Sequence, residues 1–595
     1  MIIKRIICEH LPFECSFSLT NYFYFSSQTA RTMAGRQYSA QDYPLPYVIE
    51  DLKKWPIYQL TADKEAFLEQ VKARTREKIK SKFNTNEALK AELARVLYQE
   101  RIRLTEKAWK ADPKDEKQFW NNIKSKFVKL DQVNEVVTDI TEDQLLDEII
   151  DRYANEIVGE FDERTFQFAE KILPQFFGRV LSAAPGKWLK TFAGNVKTLH
   201  EKIPIIGDIE KIRHLSTKGT VIVVPTHFSN MDSIMVGWLL NELGLPAFTY
   251  GAGLNLFSIG LLSGFMSRLG AYKVDRRKKN SVYLETLKTY STVAIQRGAH
   301  SIFFPGGTRS RSGSVEKKLK LGLLGTALEA QKLHYKNFPT EMAPKIYVVP
   351  CIINYHFVLE APGLINDYLK ETGKEKFFRE NDEYSTSVKL IRFIYKFISA
   401  SSSLTVSFGE VMDVLGNKVD ENGDSHNHLC QKIDVKKYFI TNGELNDDEQ
   451  RDAEYVKLLG EKIVDNYHRY NVVLTSHLVC FTVFELLRRK YKGVDIFTLL
   501  RTPAEDVSLS YDEVAEGVSN VKERLKQLYD VGDVIISPEL RWNVEKIIEH
   551  GMKNINMYHT ASPITRSGNT IGSEDLKLLY YYHNRLDDYG LEKYI

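Results

Sequence analysis

The chain has 595 residues, 43% apolar and 27% charged, with 81 Lys and Arg against 78 Asp and Glu for a net charge of +3. This composition excludes disordered, collagenous and fibrous chains, and so even a charge balance argues against a general nucleic-acid binder, leaving any anion site to a local cluster. At about 100–200 residues per domain the length suggests two to four units; the 5 Cys fit neither a disulfide framework nor a zinc spacing, which points to a reducing compartment.

Residues 1–40 read as an extension, disordered or ahead of the true start. Glu9, His10, Glu14 and Asn21 interrupt any signal-like apolar core, and Met33 followed by Ala-Gly-Arg makes a start of its own. A helical region follows over 41–199: Lys, Glu and Ala dominate 63–111, and 140–181 repeats apolar residues at three-to-four spacing. Asp112-Pro113 and Pro185-Gly186 are the predicted breaks. From 200 to 415 the texture changes to short β-rich runs, Thr220–Val224, Ser301–Phe304, Ile346–Val349 and Leu404–Phe408, separated by helical patterns. That alternation predicts an α/β domain with a mixed, largely parallel sheet, flanked by N- and C-terminal helical regions. The segment 416–450 opens acidic and rich in Gly and Asn and reads as a loop or insertion, and 451–595 is again helical in pattern. No run of about 18 uncharged apolar residues occurs, so no spanning helix is expected.

Four segments of the α/β region carry chemistry. In the first, "VIVVPTHFSNMDS", a strand ends at Pro225, His227 follows at its carboxyl end, and Asp232 opens the apolar helix Ile234–Leu240. Open α/β sheets bind ligands at that edge. An imidazole there can take a proton from a hydroxyl, with the carboxylate fixing its tautomer; the competing reading makes Ser229 and Asp232 a helix capping box. In the second, "GAYKVDRRKKN", Lys273, Arg276, Arg277, Lys278 and Lys279 form a basic run. Lys278 and Lys279 read as a solvated face, whereas Arg276 is placed to turn inward. In the third, "IFFPGGTRSRSGS", a strand enters a Gly turn at Gly306 and Gly307, and Arg309 and Arg311 alternate with Ser. Glycine lets backbone approach a ligand and guanidinium groups grip phosphate in pairs; "EKKLKLG" then adds Lys320. The fourth, "YVVPCIINY", is a strand with Pro350 in mid-run, either lining an apolar slot or plainly buried, and Cys351 reads as a small core residue. His426 and His428, one residue apart in an acidic loop, read as incidental rather than as metal ligands.

In that order, the four segments resemble the blocks of the glycerol phosphate acyltransferase superfamily. The long helical regions on either side look most like the bacterial-type sn-1 glycerol-3-phosphate acyltransferases, and "FGEVMDVLGNKVD" (408–420) resembles the end of that family's catalytic domain. The resemblance implies acyl transfer from a thioester, carried by CoA or by acyl carrier protein as co-substrate, to the sn-1 hydroxyl of glycerol-3-phosphate. It makes His227 the general base and Asp232 its partner, gives the acceptor's phosphate to Arg276, Arg309 and Arg311 with Lys320 nearby, and has Gly307 admit the ligand. Neither a metal nor a resident cofactor is implied. Two departures stand out: the third block usually carries Glu where this chain has Gly306, and Val274-Asp275-Arg276 looks closer to the lysophosphatidic acid acyltransferases. Lysophosphatidic acid as acceptor, or a non-catalytic phospholipid-binding relative, are the alternatives.

Since the product of such a reaction partitions into lipid, peripheral attachment at the cytoplasmic face of the cell membrane is expected. "SVKLIRFIYKFIS" (387–399) sets Lys389, Arg392 and Lys396 on one stripe of an otherwise apolar helix. "LNLFSIGLLSGFM" (254–266) is too short to span and reads as a buried helix, an acyl-binding wall or a shallow insertion.

Overall fold

The computed structural model describes residues 44–106, 109–131, 141–182, 203–254, 257, 260–372, 404–557 and 559–595. The expected extension at 1–40, the break at Pro185-Gly186 and the amphipathic stretch 387–399 lie outside the described residues.

The centre is a seven-stranded sheet of β1 (Ile205–Ile206), β2 (Gly219–Pro225), β3 (Thr249–Gly253), β4 (Ala271–Val274), β5 (Ser301–Ile302), β6 (Lys345–Tyr355) and β7 (Leu404–Phe408), in the order β1-β7-β6-β2-β5-β3-β4. From β6 to β4 neighbouring strands are parallel; β7 is antiparallel to β6 and carries β1 parallel to itself. The sheet is thus mixed and largely parallel. β3 and β4 escape a sequence reading because each is short, the first held by Gly251 and Gly253 and the second running into the basic segment.

β2 shows why the sheet sits where it does. Val221 and Val223 face one apolar core, while Ile222 and Val224 face another, and all four are fully buried. A parallel strand covered on both faces reads as a continuous apolar run, and each such side chain contributes about 1.5–3 kcal/mol by leaving water. The first core is roofed by Asp232–Glu242 and the C-terminal helix Thr475–Lys490; the second by Leu321–Asn337 and Glu449–Arg469. β6 is an ordinary buried strand, with Cys351 fully enclosed and its thiol pushed up by burial. Pro350 is tolerated because β7 pairs with β6 only from Cys351 onward; the Pro350 carbonyl still accepts the Gly409 N–H at 2.8 Å.

The segment read as a loop at 416–450 is built from short paired strands, Lys418–Val419, Ser425–His426 and Lys432–Ile433, then the hairpin Ile440–Thr441 with Glu444–Leu445. Val419 and Phe439 anchor it as fully buried residues. Pairs of two residues are too brief to leave a periodic trace in sequence. In the C-terminal region Thr475–Lys490 is the hub, packed by Tyr511–Val531, Val544–Asn556 and Leu576–His583.

The N-terminal helices include Lys64–Lys82, Asn86–Arg103, Glu116–Asp131, Glu142–Ile157 and Glu163–Ser182, with Asp112-Pro113 between the second and third as predicted. Thr141 and Gln144 start the fourth with reciprocal capping hydrogen bonds. Lys64–Lys82 and Glu142–Ile157 pack against Ser281–Gln296, a helix of the sheet domain. The basic run just before that helix explains the docking. Lys278, read as solvated, is 4% exposed: it pairs with Glu156 and stands 3.5 Å from Glu116. Arg277 pairs with Asp275 and Asp112 and lies 4.0 Å over the Trp109 ring. One of its acidic partners, Asp112, lies 165 residues upstream, which local sequence does not reveal. Removing one member of a buried ion cluster strands the others. Lys278→Ala should therefore destabilise the chain by about 3–5 kcal/mol, read as a fall in melting temperature, with Lys279→Ala, at an exposed position, near wild type.

Candidate active site

The site forms where β2 ends. Thr226 still zips to β6, donating its N–H to the Cys351 carbonyl at 2.9 Å and accepting the Ile353 N–H on its hydroxyl at 3.1 Å. The next residue, His227, leaves the sheet edge. Its Nδ1 lies 2.9 Å from Oδ2 of Asp232, which also accepts the N–H groups of Phe228 and Ser229 at 2.7 and 2.8 Å. Tyr355, the last residue of β6, donates its hydroxyl to the other oxygen at 2.7 Å. Asp232 is fully buried, and these four donors are what make a carboxylate tolerable there. A carboxylate only accepts, so the His227 proton sits on Nδ1 and Nε2 is left as the basic nitrogen. The imidazole keeps 15% exposure, with Phe304 against one face at 4.5 Å between ring centres. The capping reading of Asp232 is partly fulfilled, since it does hold the Ser229 N–H; the same carboxylate does both jobs.

A second buried carboxylate ties this turn to the Arg-bearing loop. Glu360 accepts the Asn230 N–H at 2.8 Å and the Ser229 hydroxyl at 3.2 Å, and lies 3.4 Å from Nη1 of Arg309. Burial raises its pKa. The loop is fastened again where Ser310 donates its N–H to the His227 carbonyl at 2.7 Å. Gly307 has φ +75°, and a Cβ there would stand 2.5–2.8 Å from the Cδ, Cε and Nζ atoms of Lys320, so glycine is what allows that side chain to lie across the loop. His227, Asp232, Gly307, Arg309 and Lys320 thus gather at one edge of the sheet. Arg311 is further out, 24% exposed and paired with Glu371. Arg276 follows β4 at the same edge but is exposed, and the inward turn expected of it belongs to Arg277, drawn in by Asp112 and Asp275.

Besides Glu316, which accepts the His227 N–H, three residues at this edge escape the sequence reading. Tyr355 and Glu360 look like an ordinary strand end and loop acid, and only the parallel register of β2 and β6 brings them to the turn. The third is Arg585, from the C-terminal region. It is 5% exposed, donates to the Ile353 carbonyl at 2.9 Å, to Asn471 at 3.1 Å and to Asn354 Oδ1 at 2.5 Å, and lies 4.0 Å over the Phe228 ring. Burial lowers its pKa to about 10. Its neighbours fasten the Arg loop too: Asn584 donates to the Ser312 carbonyl at 2.9 Å, and Gly313, at φ +85°, packs so closely that a Cβ would stand 2.1 Å from the Tyr581 carbonyl.

The hydrophobic stretch 254–266 contributes the helix Gly260–Ser267, with Leu254, Phe257 and Met266 buried. Among the described residues no helix is long and apolar enough to cross a membrane, and no His, Cys, Asp and Glu cluster suits a metal ion.

Two outcomes follow from these contacts. Arg585→Ala should cost at least about 3 kcal/mol, because three buried acceptors lose a charged donor, measured by chemical denaturation of the full chain. Burial also pushes the Glu316 carboxyl, beside His227, up to about 7. A raised acid favours the fold in its protonated form, so that contribution is complete below about 4.5 and fades as pH rises through about 7. Glu316→Gln should flatten the decline in stability across that window, seen in melting temperatures taken from pH 4.5 to about 8.

Residues 207–354, which hold His227, Asp232 and the Arg loop, match the family model described as Acyltransferase. Among curated proteins the chain is similar to the glycerol-3-phosphate acyltransferase of Pseudomonas paraeruginosa, 28% identical over 226 residues, which is 38% of this chain and 24% of that protein. The enzyme of the same name from Ectopseudomonas mendocina is 27% identical over 226 residues, and that from Alteromonas mediterranea 25% over 228, each with the same shares covered. The chain therefore matches about a quarter of the length of these relatives. The region built on the mostly parallel sheet, with His227 and Asp232 at its carboxyl edge, thus matches the Acyltransferase family model and is similar to the glycerol phosphate acyltransferase superfamily.

Proposed function

We propose that the protein is an acyltransferase that moves a fatty acyl group from a thioester to the sn-1 hydroxyl of glycerol-3-phosphate. The observation that carries this reading is the His227–Asp232 pair, its Nδ1 edge held by the carboxylate, beside a loop that presents Arg309. In this reading the acceptor's phosphate meets Arg309, with Lys320 across the loop and Arg311 and Arg276 nearer solvent, while its hydroxyl points at Nε2. His227 takes the hydroxyl proton as the oxygen attacks the thioester carbonyl. Asp232 stabilises the imidazolium that forms, and the proton passes to the departing thiolate as the tetrahedral intermediate collapses. The ester bond forms, the carbon–sulfur bond breaks, and no acyl-enzyme is needed. Cys351 takes no part, being fully enclosed with its thiol pushed up.

The names of the relatives and the long helical regions on both sides of the sheet domain support this acceptor; Val274-Asp275-Arg276 favours lysophosphatidic acid as the second reading. The donor is CoA or acyl carrier protein, both presenting a phosphopantetheine thioester. We place the protein at the cytoplasmic face of the membrane as a peripheral enzyme, because its product is a lipid.

Full-length protein in lipid vesicles, offered labelled glycerol-3-phosphate and lysophosphatidic acid in parallel with each donor, should acylate glycerol-3-phosphate. His227→Ala should lower turnover by about 10²–10⁴-fold, the worth of a positioned base, and Asp232→Asn should also reduce it strongly. Acylation of lysophosphatidic acid alone would transfer the proposal to that acceptor, and lipid binding with no turnover on either would replace it with a binding role.

A further inference from the structure

Position 306 lacks the carboxylate that the resemblance leads one to expect, and the structure puts another carboxylate in its place. An ideal Cβ on Gly306 would stand 3.2 Å from both Cγ and Oε1 of Glu316, its nearest atoms beyond the adjoining residues. Gly306 is not among the glycines with positive φ, so its backbone would accept a side chain; the Glu316 side chain is what occupies the room. That same Oε1 accepts the His227 N–H at 2.8 Å. The other oxygen, Oε2, is sealed from solvent and has no hydrogen-bond partner, although the residue as a whole is only half-buried.

The effect on His227 is specific. Its carbonyl is held by the Ser310 N–H at 2.7 Å and its N–H by Glu316, so both main-chain groups of the base are pinned by one loop, 302–316. Asp232 fixes the ring by its Nδ1 edge, and the two main-chain bonds fix the peptide from which the ring is hung. Without Glu316 the enclosed N–H would lose its acceptor, and the turn would rotate to find another. An error of about 1 Å in a reacting group costs about 100-fold in rate.

We propose that Glu316 is the positioning carboxylate of this site, reaching back over Gly306 to hold the His227 main chain where a carboxylate at position 306 would otherwise act. This rests on the reading of His227 as the base. Burial holds the Glu316 carboxyl well above its ordinary range, so near neutrality an uncharged amide can substitute for it.

The test uses the full chain in vesicles with glycerol-3-phosphate, and compares Glu316→Ala, Glu316→Met, Glu316→Gln, Gly306→Glu and the double variant Gly306→Glu/Glu316→Ala. Each is also scored, without substrate, for the rate at which diethyl pyrocarbonate modifies His227, by peptide mass spectrometry. Glu316→Ala should lose about 10–100-fold in kcat with KM for the acceptor little changed. Glu316→Gln, which keeps an acceptor oxygen, should restore most of it. Gly306→Glu alone should be impaired, because two carboxyl groups then compete for one space. The double variant should exceed both single variants, a coupling expected only if the two positions share one role. His227 modification rates should change in Glu316→Ala and return in Glu316→Gln and the double variant. Glu316→Met fills the volume without an acceptor and replaces the alanine variant if that one fails to fold. A folded Glu316→Ala or Glu316→Met with wild-type kcat and His227 reactivity, or a folded double variant no better than Glu316→Ala, overturns the proposal. Absence of turnover in the wild-type chain would instead sink the acyl-transfer reading, and the His227 modification rates would then decide the role of Glu316 by themselves.

Discussion

The site depends on one buried carboxylate. Asp232 has no contact with solvent, and a charge so placed persists only when donors surround it. Those donors come from two places in the fold: the turn after β2 supplies two backbone N–H groups and the imidazole, and the end of β6 supplies the Tyr355 hydroxyl. The geometry of the His227 imidazole is therefore a by-product of satisfying the Asp232 carboxylate. Any movement that swung the ring away would leave Oδ2 short of a donor, and the parallel register of β2 with β6 keeps Tyr355 in reach. The sheet supplies the rigidity, since both strands are buried on both faces.

What could be read from the sequence were features encoded within a few residues of each other. The strand that ends at Pro225, the His-x4-Asp spacing, the Gly turn with its alternating Arg, and the α/β alternation between helical flanks are all local patterns, and the sheet and the match over 207–354 bear out the fold and the family. What could not be read were partnerships across distance. Glu316 lies in plain view ten residues after Gly306, yet nothing in its neighbours says that it bends back to His227. Arg276 and Arg277 are adjacent and chemically identical, so which one turns inward was decided by Asp112, far upstream in a different region. The short pairs of 418–445 were illegible for another reason: two-residue strands are too brief for a period of two to show.

The basic run of the second block shows how the same charges can be spent in two ways. Lys278 and Arg277 look like a surface for anions, but the anions they meet are Glu116, Glu156, Asp112 and Asp275. A helical region that could have been a loose appendage is thereby locked onto the helix Ser281–Gln296 by buried ion pairs backed by an apolar seam. Such pairs specify register more than they add strength. This leaves the Gly-Arg loop, rather than the second block, as the place where cations stand next to His227.

Arg585 carries a consequence for how the protein comes into being. It braces the Ile353 carbonyl from 232 residues further along the chain, and its neighbours Tyr581 and Asn584 press on the Arg loop. During synthesis the sheet, the His227 turn and the Arg loop all leave the ribosome long before the segment that closes them. Nascent chains fold domain by domain as they emerge, but one face of this sheet is roofed by Thr475–Lys490, so the His227 turn and the Arg loop stay unbraced until the segment with Arg585 has emerged. A ribosome stalled before that point would carry the strands of the sheet without the brace on the Ile353 carbonyl or the contacts on the Arg loop.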